Sequence, residues 1–365
     1  MPNVDMQALL ALVLKRGASD LHLKAGRSPI LRIDGRVHYT DLPALGAVEV
    51  QELAGQIMDE RAARSLRETG GADFSHVTAA GDRFRVSVYR QRGLVSVVAR
   101  RVNRETRTFR DLHLPEEALV RVSEAPHGLV IFTGTTGSGK STSIASCLEY
   151  INQHRTCHIV TLEDPIEFVF EDGKAFFDQR EIGIDVSTFE EALKGLLRED
   201  PDVVLVGEMR DRTAVESVLR AAETTRLVFT TVHAPTAPRA IVRILDFFEA
   251  SEHRVVRDAL ASNLVAVVCQ KLVPSADPNV PRVPVTEVML GTPTVRKAIR
   301  DGDEDRLPDI VAASQDAGMH DFTRDLVRLV REEWIDPKLA YEVAPNPEAL
   351  KMAIRGIDVK RGTFR

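Results

Sequence analysis

Apolar and polar positions follow one pattern over residues 1–100 and another from 115 onward. In the first stretch, Asp5 to Leu14 carries apolar residues at helical spacing, which predicts a helix. Leu21 to Leu23 and Pro29 to Ile33 read as short strands, with Asp34-Gly35 as a hairpin turn signal. Val48 to Arg67 reads as one helix or two, and Asp73 to Val77, Asp82 to Arg90 and Gly93 to Arg101 alternate as half-buried strands do. Strands with helices packed to one side predict a small α+β domain over 1–100.

Residues 101–114 change character: they are polar, rich in arginine and end at Leu114-Pro115, so they read as an interdomain linker. Beyond them strand, loop and helix repeat. Leu129 to Thr133, His158 to Leu162, Val203 to Val206 and Leu227 to Val232 are apolar throughout or nearly so. Between them, Ser141 to Asn152, Ser187 to Glu199 and Thr213 to Thr224 read as helices, the last two with capping-box spacing at Ser187/Glu190 and Thr213/Glu216. Uniformly apolar strands alternating with helices predict a parallel sheet covered on both faces. From about Pro293 the chain reads as helical, with Phe322, Leu326, Leu329 and Val330 on one face, giving an α/β domain over 115–365 with a helical C-terminal extension.

Composition narrows the classes. Hydrophobic residues make up 44% and charged residues 28%, and the net charge is -6. A nucleic-acid binder draws most of its affinity from neutralising phosphates, so an acidic chain argues against DNA or RNA as the partner. The three cysteines, Cys147, Cys157 and Cys269, form no C-x-x-C pair, which argues against zinc and disulfide frameworks. No basic region precedes an apolar run at the N-terminus, and the longest apolar stretches, such as Leu264 to Val268, are far short of a membrane span. The expectation is a cytoplasmic protein whose membrane contact, if any, runs through a partner.

The chemistry is concentrated after the apolar strands. Gly134-Thr135-Thr136-Gly137-Ser138-Gly139-Lys140-Ser141 matches G-x-x-x-x-G-K-S, with a strand before it and a helix, opening Ser141-Thr142, after it. Glycines let backbone N–H groups wrap phosphates, and the helix N-terminus adds positive charge. Lys140 is expected to reach the β and γ phosphates of ATP, and Ser141 to hold Mg²⁺. Glu163-Asp164, Glu208 and His233 each follow an apolar strand, the edge where parallel sheets bind ligands. Glu208 is placed to bind or polarise the Mg²⁺ shell, Glu163 to orient or activate water, and His233 to sense the γ-phosphate.

Residues 82–110 hold nine arginines, Arg83, Arg85, Arg90, Arg92, Arg100, Arg101, Arg104, Arg107 and Arg110, against two acids, Asp82 and Glu105. Three readings stay open: a solvated basic face, a clamp on the nucleotide of a neighbouring subunit, and a nucleic-acid patch. The planar guanidinium fork suits phosphate oxygens. Only Phe84, Tyr89 and Phe109 supply aromatic faces for base stacking, which weakens the third.

Several boxes in order resemble the secretion ATPases: Gly134 to Ser141, Val160 to Glu167, Val204 to Asp211 and Thr231 to Ala234 look like the Walker A, Asp box, Walker B and His box. Gln179 to Gly183, Leu197 to Val203, Ala221 to Thr224, Gly17 to Leu23 and Pro29 to Gly35 resemble, more narrowly, the PilT and PilU retraction ATPases of type IV pili. The resemblance spans nearly the whole chain. It implies a PAS-like N-terminal domain, a RecA-like ATPase domain and a hexameric ring hydrolysing ATP at subunit interfaces. It also implies work on the inner-membrane pilus platform protein, alongside a paralogous pilus ATPase. Carried over, Glu163 is the catalytic glutamate, Glu208 the Walker B acid and His233 the His-box histidine. Extension and type II secretion ATPases commonly carry a four-cysteine zinc insertion, which three cysteines cannot form. The alternatives left are a secretion or conjugation ATPase, a slow nucleotide-binding regulator, and a RecA-like motor acting on DNA.

Overall fold

A computed structural model describes residues 5–33, 35–102, 104–196, 198–224, 226–314 and 318–356. Asp34 of the expected hairpin turn, Leu197 of the expected helix over 187–199, Thr225, and the two ends of the predicted domains (1–4 and 357–365) lie outside them. The chain divides into two compact units, Met1–Arg104 with Glu167–Val169, and Glu105–Ile166 with Phe170–Arg365.

The first unit runs α1 (Met6–Lys15), β1 (Asp20–Lys24), β2 (Ile30–Ile33), β3 (Arg36–Tyr39), α2 (Ala47–Gly55), α3 (Glu60–Thr69), β4 (Gly71–Val77), β5 (Arg83–Gln91) and β6 (Leu94–Arg101). Its strands form one antiparallel sheet in the order β3-β2-β1-β6-β5-β4. The alternation in β5 shows why: Phe84, Val86 and Val88 are buried with Leu21, Leu23, Val97 and Ala99, while Arg85 on the opposite face is exposed. Helix α3 starts where Asp59 accepts from the Ala62 N–H at 2.7 Å and stops at Gly70, whose φ of 82° suits glycine.

The second unit continues with α4 (Glu116–Ser123), β7 (Gly128–Thr133), α5 (Lys140–His154), β8 (His158–Glu163), β9 (Phe176–Glu181), α6 (Phe189–Leu196), β10 (Val203–Val206), α7 (Arg212–Glu223), β11 (Leu227–Val232), α8 (Ala237–Leu245), α9 (His253–Asn263), β12 (Leu264–Pro274) and β13 (Arg282–Leu290). Helices α10 (Pro293–Asp301), α11 (Leu307–Ala313), α12 (Phe322–Arg331), α13 (Pro337–Val343) and α14 (Pro347–Ile354) follow. The sheet order is β13-β12-β7-β11-β10-β8-β9. Every neighbouring pair is parallel except β12 with β13. Strands β7, β8, β10 and β11 are buried at every residue, so both faces of the sheet are covered. This is the covered parallel sheet expected from the strand–helix alternation, and it agrees with the RecA-like domain that the resemblance implies.

Four local readings change. The stretch 101–114 is not a free spacer: β6 runs through Arg101, and Phe109 and Leu114 are buried in the core of the second unit. Helix α6 is entered through Thr188, whose Oγ1 accepts from the Glu191 N–H, rather than through Ser187. Helix α7 is capped by Asp211, which accepts from the Ala214 N–H at 2.8 Å, so Thr213 lies inside the helix. Strands β9, β12 and β13 join the four read from the sequence. In the C-terminal extension, Asp325 of α12 is buried and accepts from both the Thr286 N–H and its hydroxyl on β13. Trp334 packs its ring on His113, with centroids 4.0 Å apart.

Candidate active site

β7 delivers Thr133 to the carboxyl edge of the sheet, the chain turns through 134–139, and α5 begins at Lys140. Three glycines of the turn have left-handed backbones, with φ of 137° at Gly134, 77° at Gly137 and 90° at Gly139. A Cβ on Gly134 would stand 2.3 Å from the Gln270 carbonyl oxygen, and one on Gly139 would stand 2.7 Å from the Gln270 carboxamide nitrogen. The loop is thus pressed against β12. Gln270 itself is buried, and its Oε1 accepts from Ser143 Oγ at 2.7 Å.

The residues fit a phosphate chain. Gly139 is the N-cap of α5 and has no side chain to cap the first turn, so those amides and the positive helix end remain for an anion. Ser138 Oγ is buried and without a hydrogen-bond partner among the described residues. Thr135, Thr136 and Gly137 form the exposed crest, and Ser141 and Thr142 are half-buried at the start of α5. Lys140 Nζ donates to the carbonyls of Gly134 and Thr135 at 3.0 and 3.1 Å.

The strand-end residues converge on this loop. His233, one residue past β11, has Nδ1 3.2 Å from the Gly134 carbonyl and Nε2 3.0 Å from Glu208 Oε1. Both neighbours are acceptors, so a neutral ring donates to one of them and a doubly protonated ring to both. Glu208 Oε2 accepts from Arg210 Nε at 2.8 Å, and Arg210 Nη1 donates to Asp164 at 3.0 Å. The contacts run from the P-loop through the loops after β11, β10 and β8. The two carboxylates, Glu208 first, raise the Arg210 pKa further above its ordinary value. Asp211, the residue after Arg210, caps α7, while Arg210 pairs with Glu208 and Asp164.

Glu163 ends β8 and is 8% exposed. Its Oε1 accepts from Thr161 Oγ1 at 2.8 Å, with Gln179 Nε2 at 3.5 Å. Backbone and hydroxyl contacts lock the edge: Thr231 Oγ1 donates to the Gly207 carbonyl at 2.7 Å, and the Met209 N–H donates to the Thr231 carbonyl at 2.9 Å. Sequence reading missed Gln270 behind the loop; its only signal is the polar pair Gln270-Lys271 interrupting an apolar run.

Of the nine arginines, Arg83, Arg85, Arg90, Arg92, Arg100, Arg101 and Arg104 belong to the first unit, and Arg107 and Arg110 to the second. Arg100 pairs with buried Asp20 at 2.7 Å, Arg104 donates to the Gly81 carbonyl, and Arg110 pairs with Glu116 at 3.0 Å. These three have structural partners. The side chains of Arg85, Arg90, Arg92, Arg101 and Arg107 make no hydrogen bond or ion pair among the described residues. Arg83 lies half-buried on β5. Among the described residues, no cluster of His, Cys, Asp and Glu is able to hold a metal by itself.

The chain is similar to known proteins over most of its length. The family described as Type II/IV secretion system protein matches residues 3–313. The chain is 41% identical to the type IV pilus retraction ATPase PilT of Pseudomonas aeruginosa, over 94% of this chain and 99% of that protein. It is 37% identical to the type IV pilus ATPase PilU of the same organism, over 96% of this chain and 92% of that one. A crystal structure of the pilus retraction motor PilT with bound ADP superposes with a TM-score of 0.87 at 38% identity, covering 95% of this chain and 99% of that chain.

Proposed function

The chain belongs to the Type II/IV secretion system protein family, and from that premise we propose that it is the ATPase motor that retracts a type IV pilus. The observation that carries the reading is similarity to PilT along nearly the full length of both chains, joined to a complete P-loop motif. The chain is a P-loop ATPase. Gly134 to Thr142 would hold the phosphates of ATP, with Lys140 as their point charge. Ser141 and Glu208 would hold Mg²⁺, which when bound spreads the negative charge of the β and γ phosphates. Glu163, buried and oriented by Thr161, is the residue to position water for attack, and His233 couples Glu208 to the loop.

The working form is a ring of six, with part of each site supplied by a neighbour. Arg210 is committed to Glu208 and Asp164, so the further positive charge that transfer of a γ-phosphate calls for comes from the arginines between Arg83 and Arg110 of an adjacent subunit. No helix among the described residues is long and apolar enough to cross a membrane. In this reading the motor sits in the cytoplasm against the inner-membrane platform protein of the pilus, together with a paralogous ATPase. Deleting the gene tests this. Cells should carry excess pili that fail to retract, the wild-type gene should restore twitching, and Lys140→Ala should not. Normal retraction in the deletion strain would refute the assignment.

A further inference from the structure

Four strands of the sheet share one row, at which β7 and β11 end and through which β12 and β13 continue. Val232 of β11 is paired with Thr133 of β7, Thr133 with Cys269 of β12, and Cys269 with Glu287 of β13. The row lies one residue before His233 and one before Gly134. Three of its side chains grip the short segment joining β11 to α8. Thr133 Oγ1 donates to the Ala234 carbonyl at 3.0 Å and accepts from the Ala234 N–H at 2.9 Å. Cys269 Sγ lies 3.9 Å from the same carbonyl. Glu287 Oε2 accepts from the Ala237 N–H at 2.6 Å.

Glu287 is the unexpected member. It is 6% exposed and forms no salt bridge among the described residues. Burying a carboxylate without a paired cation is costly, and an apolar side chain of similar volume would serve packing alone. The positive end of α8, where Ala237 is the first helical residue after the Thr236 cap, offsets part of that cost. Only Ala234 to Thr236 separate that point from His233, so where α8 begins fixes where His233 stands.

We propose that Glu287 is a positioning residue for ATP hydrolysis: by capping α8 at Ala237 it holds His233 between the Gly134 carbonyl and Glu208. It touches no nucleotide and acts through the segment 233–237. The proposal rests on reading this site as the one that hydrolyses ATP.

The test measures ATPase rates against ATP concentration for full-length Glu287→Gln, Glu287→Asp and Glu287→Leu, with the Kd of a fluorescent ATP analogue. Gln keeps an acceptor oxygen at the same reach, Asp withdraws it, and Leu removes it. Glu287→Gln should retain kcat within about threefold. Glu287→Asp and Glu287→Leu should lose about 10–100-fold, the scale of an ångström-level misplacement, with KM and Kd held within about twofold. Wild-type kcat in Glu287→Leu, a loss in Glu287→Gln as deep as in Glu287→Leu, or a rise in KM alongside the fall in kcat would each overturn the proposal. Should the Leu variant fail to fold, the Asp and Gln pair decides. Turnover by the wild type in the same assay checks the ATPase reading separately.

Discussion

Replacing Gly134 by alanine should cost much more than the same change at Gly137, three residues on in the same loop. At Gly134 two penalties add. The backbone sits at φ 137°, which an L side chain rarely adopts and which costs about 1–3 kcal/mol. The new Cβ would also stand 2.3 Å from the Gln270 carbonyl oxygen and 2.8 Å from Ser138 Oγ. Van der Waals contact requires that carbonyl to retreat by about 1 Å, and forced overpacking costs about another 1–3 kcal/mol. The carbonyl belongs to a strand hydrogen-bonded into the sheet, so it yields less readily than a side-chain tip. At Gly137 the backbone is left-handed at φ 77°, but nothing lies within 4 Å of the added carbon. Only the left-handed penalty applies there, about 1–2 kcal/mol. Thermal unfolding of both variants without nucleotide reads the difference. At about 2–4 °C per kcal/mol for a domain of this size, Gly134→Ala should melt several degrees below Gly137→Ala. Equal melting temperatures would mean that contact with β12 does not shape the loop. Gly134→Ala should also lose ATP, because both Lys140 and His233 bond the carbonyl of residue 134 itself, which the strained backbone displaces.

Other outcomes follow from the same geometry. Glu163→Gln should bind ATP yet hydrolyse it about 10²–10⁴-fold more slowly, while Glu208→Gln should weaken the dependence on Mg²⁺; wild-type turnover in the first with a dead second would reverse the two roles. Burial pushes the Glu287 pKa from 4.5 up to about 7, so between those values the native state holds a proton that the unfolded chain releases. Stability should therefore fall as pH rises through that window, by about 3 kcal/mol in total, and Glu287→Gln should abolish that component in urea unfolding at pH 5 and pH 8. An unchanged difference between variant and wild type at the two pH values would show that the carboxyl ionises freely. Mixing Lys140→Ala with a variant lacking one arginine of the 83–110 stretch should partly restore turnover, since some interfaces regain both parts. If each arginine there is replaceable singly with little loss, the stretch is a solvated or partner-binding face.

The nucleotide-bearing half of the fold was legible because its chemistry is local. Val203–Val206 and Leu227–Val232 emerge with the bounds their apolar runs imply, and the P-loop follows its strand directly. The missed strands are those whose pattern is masked by neighbours or by position. β9, Phe-Phe-Asp-Gln-Arg-Glu, is a half-exposed edge and has no apolar run. β12 continues from α9 without a breaking residue. β13 contains Pro284, which argues against a strand unless the strand is at an edge, as it is here. Glu163, Glu208 and His233 were findable from position after a strand. Their partners were not: Arg210 with Asp164 spans 46 residues, Ser143 with Gln270 127 and Glu287 with Ala237 50. Caps failed by one or two residues because Ser, Thr and Asp compete for the same N–H groups, and only the folded backbone decides among them.

The packing of Trp334 on His113 has an optical consequence. The chain contains a single tryptophan, so under red-edge excitation its emission comes from one address. That address is the joint where the segment entering the second unit meets the C-terminal helices, and the imidazole ring lies against the indole there. Any nucleotide-driven shift of those helices would change the colour and yield of that light, giving a label-free record of the motor's stroke in real time.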